Sequence, residues 1–499
     1  MTTYRTPGVY VEEDSKLPPS VAGVATAIPA FIGYTEKGDP FVPQRITSLV
    51  EYQALFGGAP KLSVPEQGKI NQKEFVLYDS LRLFFDNGGF VCYIVSAGTY
   101  NARSGASSDG CSLSDFITAF SALEKVDEVT LLVFPDAVTC LDAETVGQVQ
   151  DYALAHCDKM RDRFAILDVP TSAGAKKDSE NFRNYIGSKN LMYGAAYYPY
   201  IKTSYLHEFT VDDVFMSVGE TLQCEKWVSK KAGEIADADV FKNAEDKEAW
   251  VEWTSREIGT SESEESEEPA FEVKKVLDKD EEDLLKMAVA KNDPRYESLL
   301  KALQDEVSVI PPSGAIAGII ADTDTRMGVW NAPANLSITG AKDVSVLLSD
   351  FDQEDLNVDP VAGKSINAIR KFTGKGILVW GARTLAALSN EWKYIPVRRL
   401  FTYVEESVQK STAWAVFQPN DLNTWVKIKG QITSFLNGLW RDGALAGATP
   451  EQAFFVNVGL GSTMTSDDIL QGNLIVEIGL AAVRPAEFII LRFSHKVQE

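Results

Sequence analysis

The chain reads as a multidomain protein of mixed α/β (α+β) architecture, and three observations point there. Helix-period and strand-length apolar segments alternate through the middle of its 499 residues, the pattern that builds an α/β layer. Near the C-terminus lies a long amphipathic segment with a capping residue before it and a glycine after it. Between these regions the composition breaks into an acidic stretch that cannot bury a core. This length corresponds to about three domains, and 45% apolar with 24% charged residues is the composition of an ordinary globular protein.

The alternation runs as follows. Ala27 to Tyr34 (AIPAFIGY) is an early strand, closed by Gly33 and the turn Gly38-Asp39-Pro40. Phe75 to Asp86 carries apolar residues at helical spacing, Asn87-Gly88-Gly89 ends it, and Phe90 to Val95 (FVCYIV) is a buried strand. A Ser/Gly-rich loop then leads to a helix capped by Ser114. Val129 to Phe134 is the next strand, Asp142 caps a helix to about Arg161, and Phe164 to Val169 is the strand after it. Tyr185 to Tyr200 holds the apolar stretch AAYYPY.

Lys231 to Asp305 holds 22 Asp and Glu against 11 Lys and Arg, a net −11 that is about half of the whole-chain −23. Its centre, Ser261 to Glu268 (SESEESEE), has nothing to bury. Trp250, Trp253, Leu284, Leu285, Leu299 and Leu300 mark short helices on either side, so the stretch reads as a solvent-facing insertion. Its carboxylates lack the spacing and central glycine of a calcium loop.

Downstream the charge reverses. Val361 to Glu499 holds 15 Lys and Arg against 11 Asp and Glu, a net +4. Pro419-Asn420-Asp421 stops a strand and offers a capping oxygen to a new helix. Leu422, Trp425, Val426, Ile432, Phe435, Leu436, Leu439 and Trp440 draw its apolar stripe, and Gly443 ends it. Lys427, Lys429 and Arg441 lie in this helix, and Arg398 and Arg399 precede it. Solvated lysines on a core helix are one reading of these cations. A basic domain on an acidic protein favours the other, a face turned toward an acidic partner.

Both chain ends read as strands. Val9-Tyr10-Val11-Glu12-Glu13 alternates after the turn Thr6-Pro7-Gly8, and Leu17-Pro18-Pro19 is a stiff linker. At the other end Phe488, Ile489, Ile490 and Leu491 are apolar on both faces, with Phe493 beyond. So apolar a strand must be paired and covered. Two such strands can pair within one subunit, or each can add to a neighbour's sheet.

Several function classes fall away. A net charge of −23 argues against nucleic-acid binding. The N-terminus lacks the basic and apolar regions of a secretory signal, and no apolar run reaches the roughly 20 residues that span a bilayer. Cys92, Cys111, Cys140, Cys157 and Cys224 form an odd set without a CxxC pair, which fits reduced thiols in a cytoplasm. His156, His207 and His495 have no partner at metal-ligand spacing. The Gly363-Lys364-Ser365 triplet lacks the first glycine of a phosphate loop, Val358 standing in its place. No dinucleotide fingerprint and no nucleophile elbow is present. Asp136 and Asp168, carboxylates at strand ends, are what the sequence offers a soluble α/β enzyme. The weight falls on a structural protein without catalytic, cofactor or metal residues.

Val309 to Ser337 (VIPPSGAIAGIIADTDTRMGVWNAPANLS) resembles the signature stretch of contractile tail sheath proteins. GARTL, IPVRRLF, FQPND and RPAEFIILR resemble the same family's C-terminal domain. TPGVYVEE and AIPAFIGYTEKG are similar to its N-terminal opening, and RFAILDVP and AAYYPY to its middle. The opening KLPPSVAGVATAIPAFIGYTEKG is closer to sheaths of phage-tail-like injection particles than to those of ordinary myophages. The acidic insertion is outside the shared pattern.

The resemblance implies a tail-sheath fold made of an N-terminal β-arm and linker (1–20), middle α/β domains (21–230), an acidic outer insertion (231–305), a return to the middle (306–345), a C-terminal inner domain (346–485) and a C-terminal β-arm (486–499). It implies hexameric rings of this subunit stacked around an inner tube, contracting to drive that tube through a target envelope. Partners would be further copies of the chain, the tube protein, baseplate and terminal cap proteins and, where a particle has them, sheath paralogues. Tyr4, Val9, Tyr10, Val11 and Glu12, with Glu487, Phe488, Ile489, Ile490, Leu491 and Phe493, would be the exchanged arms. Lys427, Lys429 and Arg441 would face the tube. The subunit would be made in a bacterial cytoplasm and end in an extracellular particle, or in a virion tail if the source is a contractile-tailed phage.

Overall fold

The computed structural model describes residues 20–62, 64, 75–100, 111–217, 294–359, 361 and 363–488. The strand expected at Val9 to Glu13, the centre of the acidic stretch and the strand residues from Ile489 onward lie outside these residues.

The first half alternates as its periodicity predicts. In order come β1 (Pro29–Thr35), β2 (Gln44–Ile46), α1 (Leu49–Phe56), α2 (Leu77–Asp86), β3 (Cys92–Thr99), α3 (Leu113–Ala122), β4 (Leu131–Val133), α4 (Ala143–Met160), β5 (Phe164–Asp168), α5 (Ala175–Tyr185), β6 (Gly194–Tyr198), β7 (Ile201–Thr203) and α6 (Val211–Met216). Asp142 caps α4 by accepting the amides of Glu144 and Thr145, both at 3.1 Å. For α3 the capping residue is Ser112, not Ser114: its oxygen reaches the amide of Asp115 at 3.3 Å, while Ser114 is already helical. A cap must stand one residue before the helix for its oxygen to reach back.

After the acidic stretch follow α7 (Tyr296–Val307), β8 (Val309–Ile310), α8 (Ser313–Met327), β9 (Leu336–Ser337), β10 (Ala341–Val344), α9 (Asp350–Asn357), β11 (Ile366–Phe372) and β12 (Gly376–Trp380). Among the described residues the main sheet has nine strands in the order β2-β3-β1-β4-β5-β6-β11-β12-β9. Its centre is parallel, with β11 joining β6 through Ile366 opposite Ala196, and β2, β12 and β9 are antiparallel. β11 extends the central sheet by backbone pairing with β6, and β12 pairs in turn with β11. A smaller sheet, β10-β7-β8, lies beside it.

Each face of the main sheet carries its own core, split by the two-residue period of the strands. Phe31, Ile94, Leu131, Val133 and Ile166 meet α2 and α8 on one side. Ala30, Ile32, Val95, Leu132 and Leu167 meet α3 and α4 on the other. Helices α2 and α8 touch at backbone level. A Cβ on Gly314 would lie 2.2 Å from the Ser80 carbonyl oxygen, and one on Gly318 2.5 Å from that of Phe84.

The last region holds α10 (Ile395–Thr412), α11 (Leu422–Arg441) and the antiparallel pair β13 (Phe454–Val458) and β14 (Val476–Leu480). Its core is Leu400, Val404, Ile428, Ile432, Leu436 and Leu439 with Phe454 and Val456. Asp421 caps α11 by accepting the Thr424 amide at 3.0 Å. The expected stripe is corrected at its start. Leu422 and Val426 are 67% and 61% exposed, and Ile428 is the residue that points inward.

Candidate functional site

The entering chain lies along α10. The amide of Ala22 donates to Ser411 Oγ and that of Val24 to Ser407 Oγ, each at 3.2 Å. Arg399 donates to the Thr26 carbonyl at 2.8 Å. Between them Gly23 passes so close to Tyr403 that a Cβ would stand 2.2 Å from its hydroxyl.

The leaving chain is tied down at the other end of the same helix. Beyond β14 it runs beside the C-terminal core, with the Ala481 amide on the Ala453 carbonyl at 2.9 Å and that of Val483 on Ala444 at 3.2 Å. It then reaches Arg383. The Arg383 Nε–H donates to Glu487 Oε1 at 2.7 Å and its Nη2 to Oε2 at 2.6 Å, a two-pronged charged contact. The Tyr394 hydroxyl adds a third bond to the carboxylate at 3.1 Å. Arg383 and Tyr394 face each other across an antiparallel bridge, which sets both side chains on one spot. Burial works to raise the Glu487 carboxyl, but the Arg383 hydrogen bonds and charge outweigh it and hold it below the usual range. Tyr394 moves up through burial and the Glu487 charge.

Of the proposed arm residues, only Glu487 and Phe488 fall among the described ones, and they differ. Glu487 is held within its own subunit by Arg383, which is 6% exposed. Phe488, the next residue, is 69% exposed. Arg383, Tyr394 and Glu487 come from GARTL, YIPVRR and RPAEF, stretches far apart in sequence. A lone arginine in an apolar run was the only signal that could have linked them.

The α11 cations Lys427, Lys429 and Arg441 are all exposed. At about 100° per residue, Lys427 and Arg441 share one flank of the helix and Lys429 stands on the other. A flat partner would meet the first two together. Phe417, fully exposed at a φ of 64°, stands just before this helix, near exposed Val416. Other cations that made this region basic are internal. Arg398 pairs with Glu405 and Arg399 with Asp324. Lys364 donates to the carbonyls of Arg183 and Ile186, which also removes it from any phosphate-loop role.

The strand-end carboxylates are braces. Asp136, wholly buried, accepts the amides of Tyr34 at 2.7 Å and Val76 at 2.8 Å and so ties β1 to the entry of α2. Asp168 accepts the Ser313 amide and hydroxyl at the start of α8. Burial lifts both to about 7, against the hydrogen bonds that lower them. His156 takes a hydrogen bond from Arg163 at 3.2 Å and is held neutral, burial and that cation lowering it to about 4.

Comparison with known proteins agrees with this picture. The family model for the phage tail sheath protein central domain matches residues 261–385, and that for the phage tail sheath C-terminal domain matches 388–496. The first begins inside the acidic stretch, at Ser261. The tail sheath protein of Vibrio phage KVP40 is 26% identical over 147 residues, 30% of this chain and 22% of its own length. That of Enterobacteria phage T4 is 23% identical over 129 residues, 26% of this chain and 19% of its own. The chain thus aligns with about a fifth of each of these curated relatives.

Solved structures match end to end. The helical sheath of the anti-feeding prophage in its contracted state is 29% identical over 99% of this chain and 100% of its own, with a TM-score of 0.61. The contracted sheath complex of the PVC extracellular contractile injection system is 27% identical over 100% and 99%, with a TM-score of 0.62. The two family models and the sheath structures support a contractile tail sheath protein, a structural protein and not an enzyme.

Proposed function

We propose that this chain is the structural subunit of the contractile sheath around the inner tube of an extracellular, phage-tail-like injection system. It polymerises as stacked hexameric rings and contracts to drive the tube through a target envelope. The observation that carries this reading is the end-to-end likeness to two injection-system sheaths in the contracted state. The phage sheaths align over a fifth of their length, which places a myophage tail second.

The terminal segments serve as arms that add strands to neighbouring subunits. The support is physical. Among the described residues β13 and β14 form a two-stranded sheet, a unit marginal alone and stabilised by further strands, and Phe455 on it is 49% exposed. Phe488 points to solvent where the chain leaves. The domain division proposed is an N-terminal arm, a central body through β12, an acidic outer part and a C-terminal inner domain bearing α10, α11 and β14. Lys427 and Arg441 on α11 face the tube, and the acidic stretch faces outward. Baseplate and cap proteins complete the particle, which leaves the cytoplasm of its maker.

Negative-stain electron microscopy of the purified protein, alone and with its tube protein, tests the reading. Striated hollow tubes are expected, with a narrower form in the presence of the tube protein. A uniformly monomeric preparation under both conditions would overturn it.

A further inference from the structure

Both chain exits are fastened to one helix, at opposite ends. The incoming segment bonds to Ser407 and Ser411 in the last turns of α10. The outgoing one bonds to Tyr394, the residue that opens α10, and to its bridge partner Arg383. Tyr394 and Ser411 are 17 positions apart, or roughly 25 Å of helix. We propose that α10 is a strut that sets the separation and direction of the two exits, with Arg383–Glu487 the clamp at one end and Tyr403–Ser407–Ser411 the clamp at the other.

Three features fit α10 for this. Its inner face is sunk in the C-terminal core through Leu400 and Val404. It is tied to the central body by the buried contact of Arg399 with Asp324 on α8, and the same arginine holds Thr26 of the incoming chain. The C-terminal clamp also ends abruptly: Glu487 is held by three donors, Arg383, Tyr394 and Asn357, and Phe488 next to it is 69% exposed. A pull on either exit is therefore delivered to a helix bonded to both cores, and the two exits move as one rigid pair. Had the exits hung on loops, strain would be taken up by local bending before it reached the body.

This inference rests on the arm reading, and the test separates the two. Spin labels placed at Ser20 and Phe488 by non-cysteine chemistry, since five cysteines are present, report the exit separation in the full-length unassembled subunit. A single narrow distance distribution is expected, broadened by Glu487→Gln and again by Ser407→Ala with Ser411→Ala. The charge swap Arg383→Glu with Glu487→Arg is expected to narrow it again. A broad distribution in the unmodified protein, or no broadening in E487Q, overturns the strut. In parallel, a chain lacking residues 489–499 is expected to make no long sheaths, and E487Q to make sheaths several-fold shorter. Normal sheaths from the truncated chain would sink the arm reading while leaving the distance result standing. Loss of sheaths on truncation with wild-type sheath length in E487Q would sink the strut alone.

Discussion

Asp168 at the end of β5 takes both donors of Ser313, the amide at 2.9 Å and the hydroxyl at 2.5 Å, and so fastens the start of α8 to the centre of the sheet. The pair is wholly inside the protein. A carboxylate there meets the positive end of a 15-residue helix, yet burial dominates and raises it to about 7.

That value gives a pH prediction. An unfolded aspartate titrates near ~3.9, so the native state holds the proton more tightly. Its stabilising contribution is complete below about pH 4 and is lost as pH rises through about 7. Asp168→Asn, whose amide can still donate to the Ser313 hydroxyl, is expected to flatten the fall of Tm between those limits. Thermal melts of both proteins across this range check it, and parallel curves would refute it.

Close packing of α8 on α2 makes a second prediction. Gly314→Val forces a side chain into the Ser80 carbonyl, so the helices must part, at a cost of about 3 kcal/mol. Gly430 on α11 has nothing within 4 Å of its Cβ position. Gly430→Ala is expected to stabilise by about 0.5–1 kcal/mol through helix entropy. Denaturant titration distinguishes opposite signs from equal effects.

The Arg399–Asp324 contact is about 4–5% exposed on each side. Arg399→Met strands a buried carboxylate and is expected to destabilise by roughly 3–5 kcal/mol. Adding Asp324→Leu should recover a large part of that loss. A double variant no more stable than R399M would show that the pair is not coupled.

Tube contact is tested by placement on α11. Lys427→Glu with Arg441→Glu reverses one flank and is expected to reduce co-assembly with the tube about tenfold or more, whereas Lys429→Glu alone has a smaller effect. All three are exposed, so the folded subunit should melt as the unaltered one does. Equal co-assembly by cosedimentation in the two cases would remove the assigned face.

Local chemistry determined much of this protein. Period-two and period-3.6 patterns located β1, α2, β3, α4, β5 and α11 because each segment must bury one face whatever its neighbours are. Asp142 and Asp421 marked helix starts because capping is a contact over three residues. Quoted stretches such as GARTL, IPVRRLF and RPAEFIILR carried the family resemblance. Tertiary structure decided what depends on distant partners. Charge counting set Arg398 and Arg399 among the cations of a basic face, yet each is buried against a carboxylate from the fold, and counting cannot see pairing. β11 and β12 joined the central sheet, since strand pairing is set by which edge is open and not by sequence order. Nor could Glu487 be told from Phe488 by pattern alone: one is held and the other free because Arg383, a hundred residues earlier, needs a counter-charge.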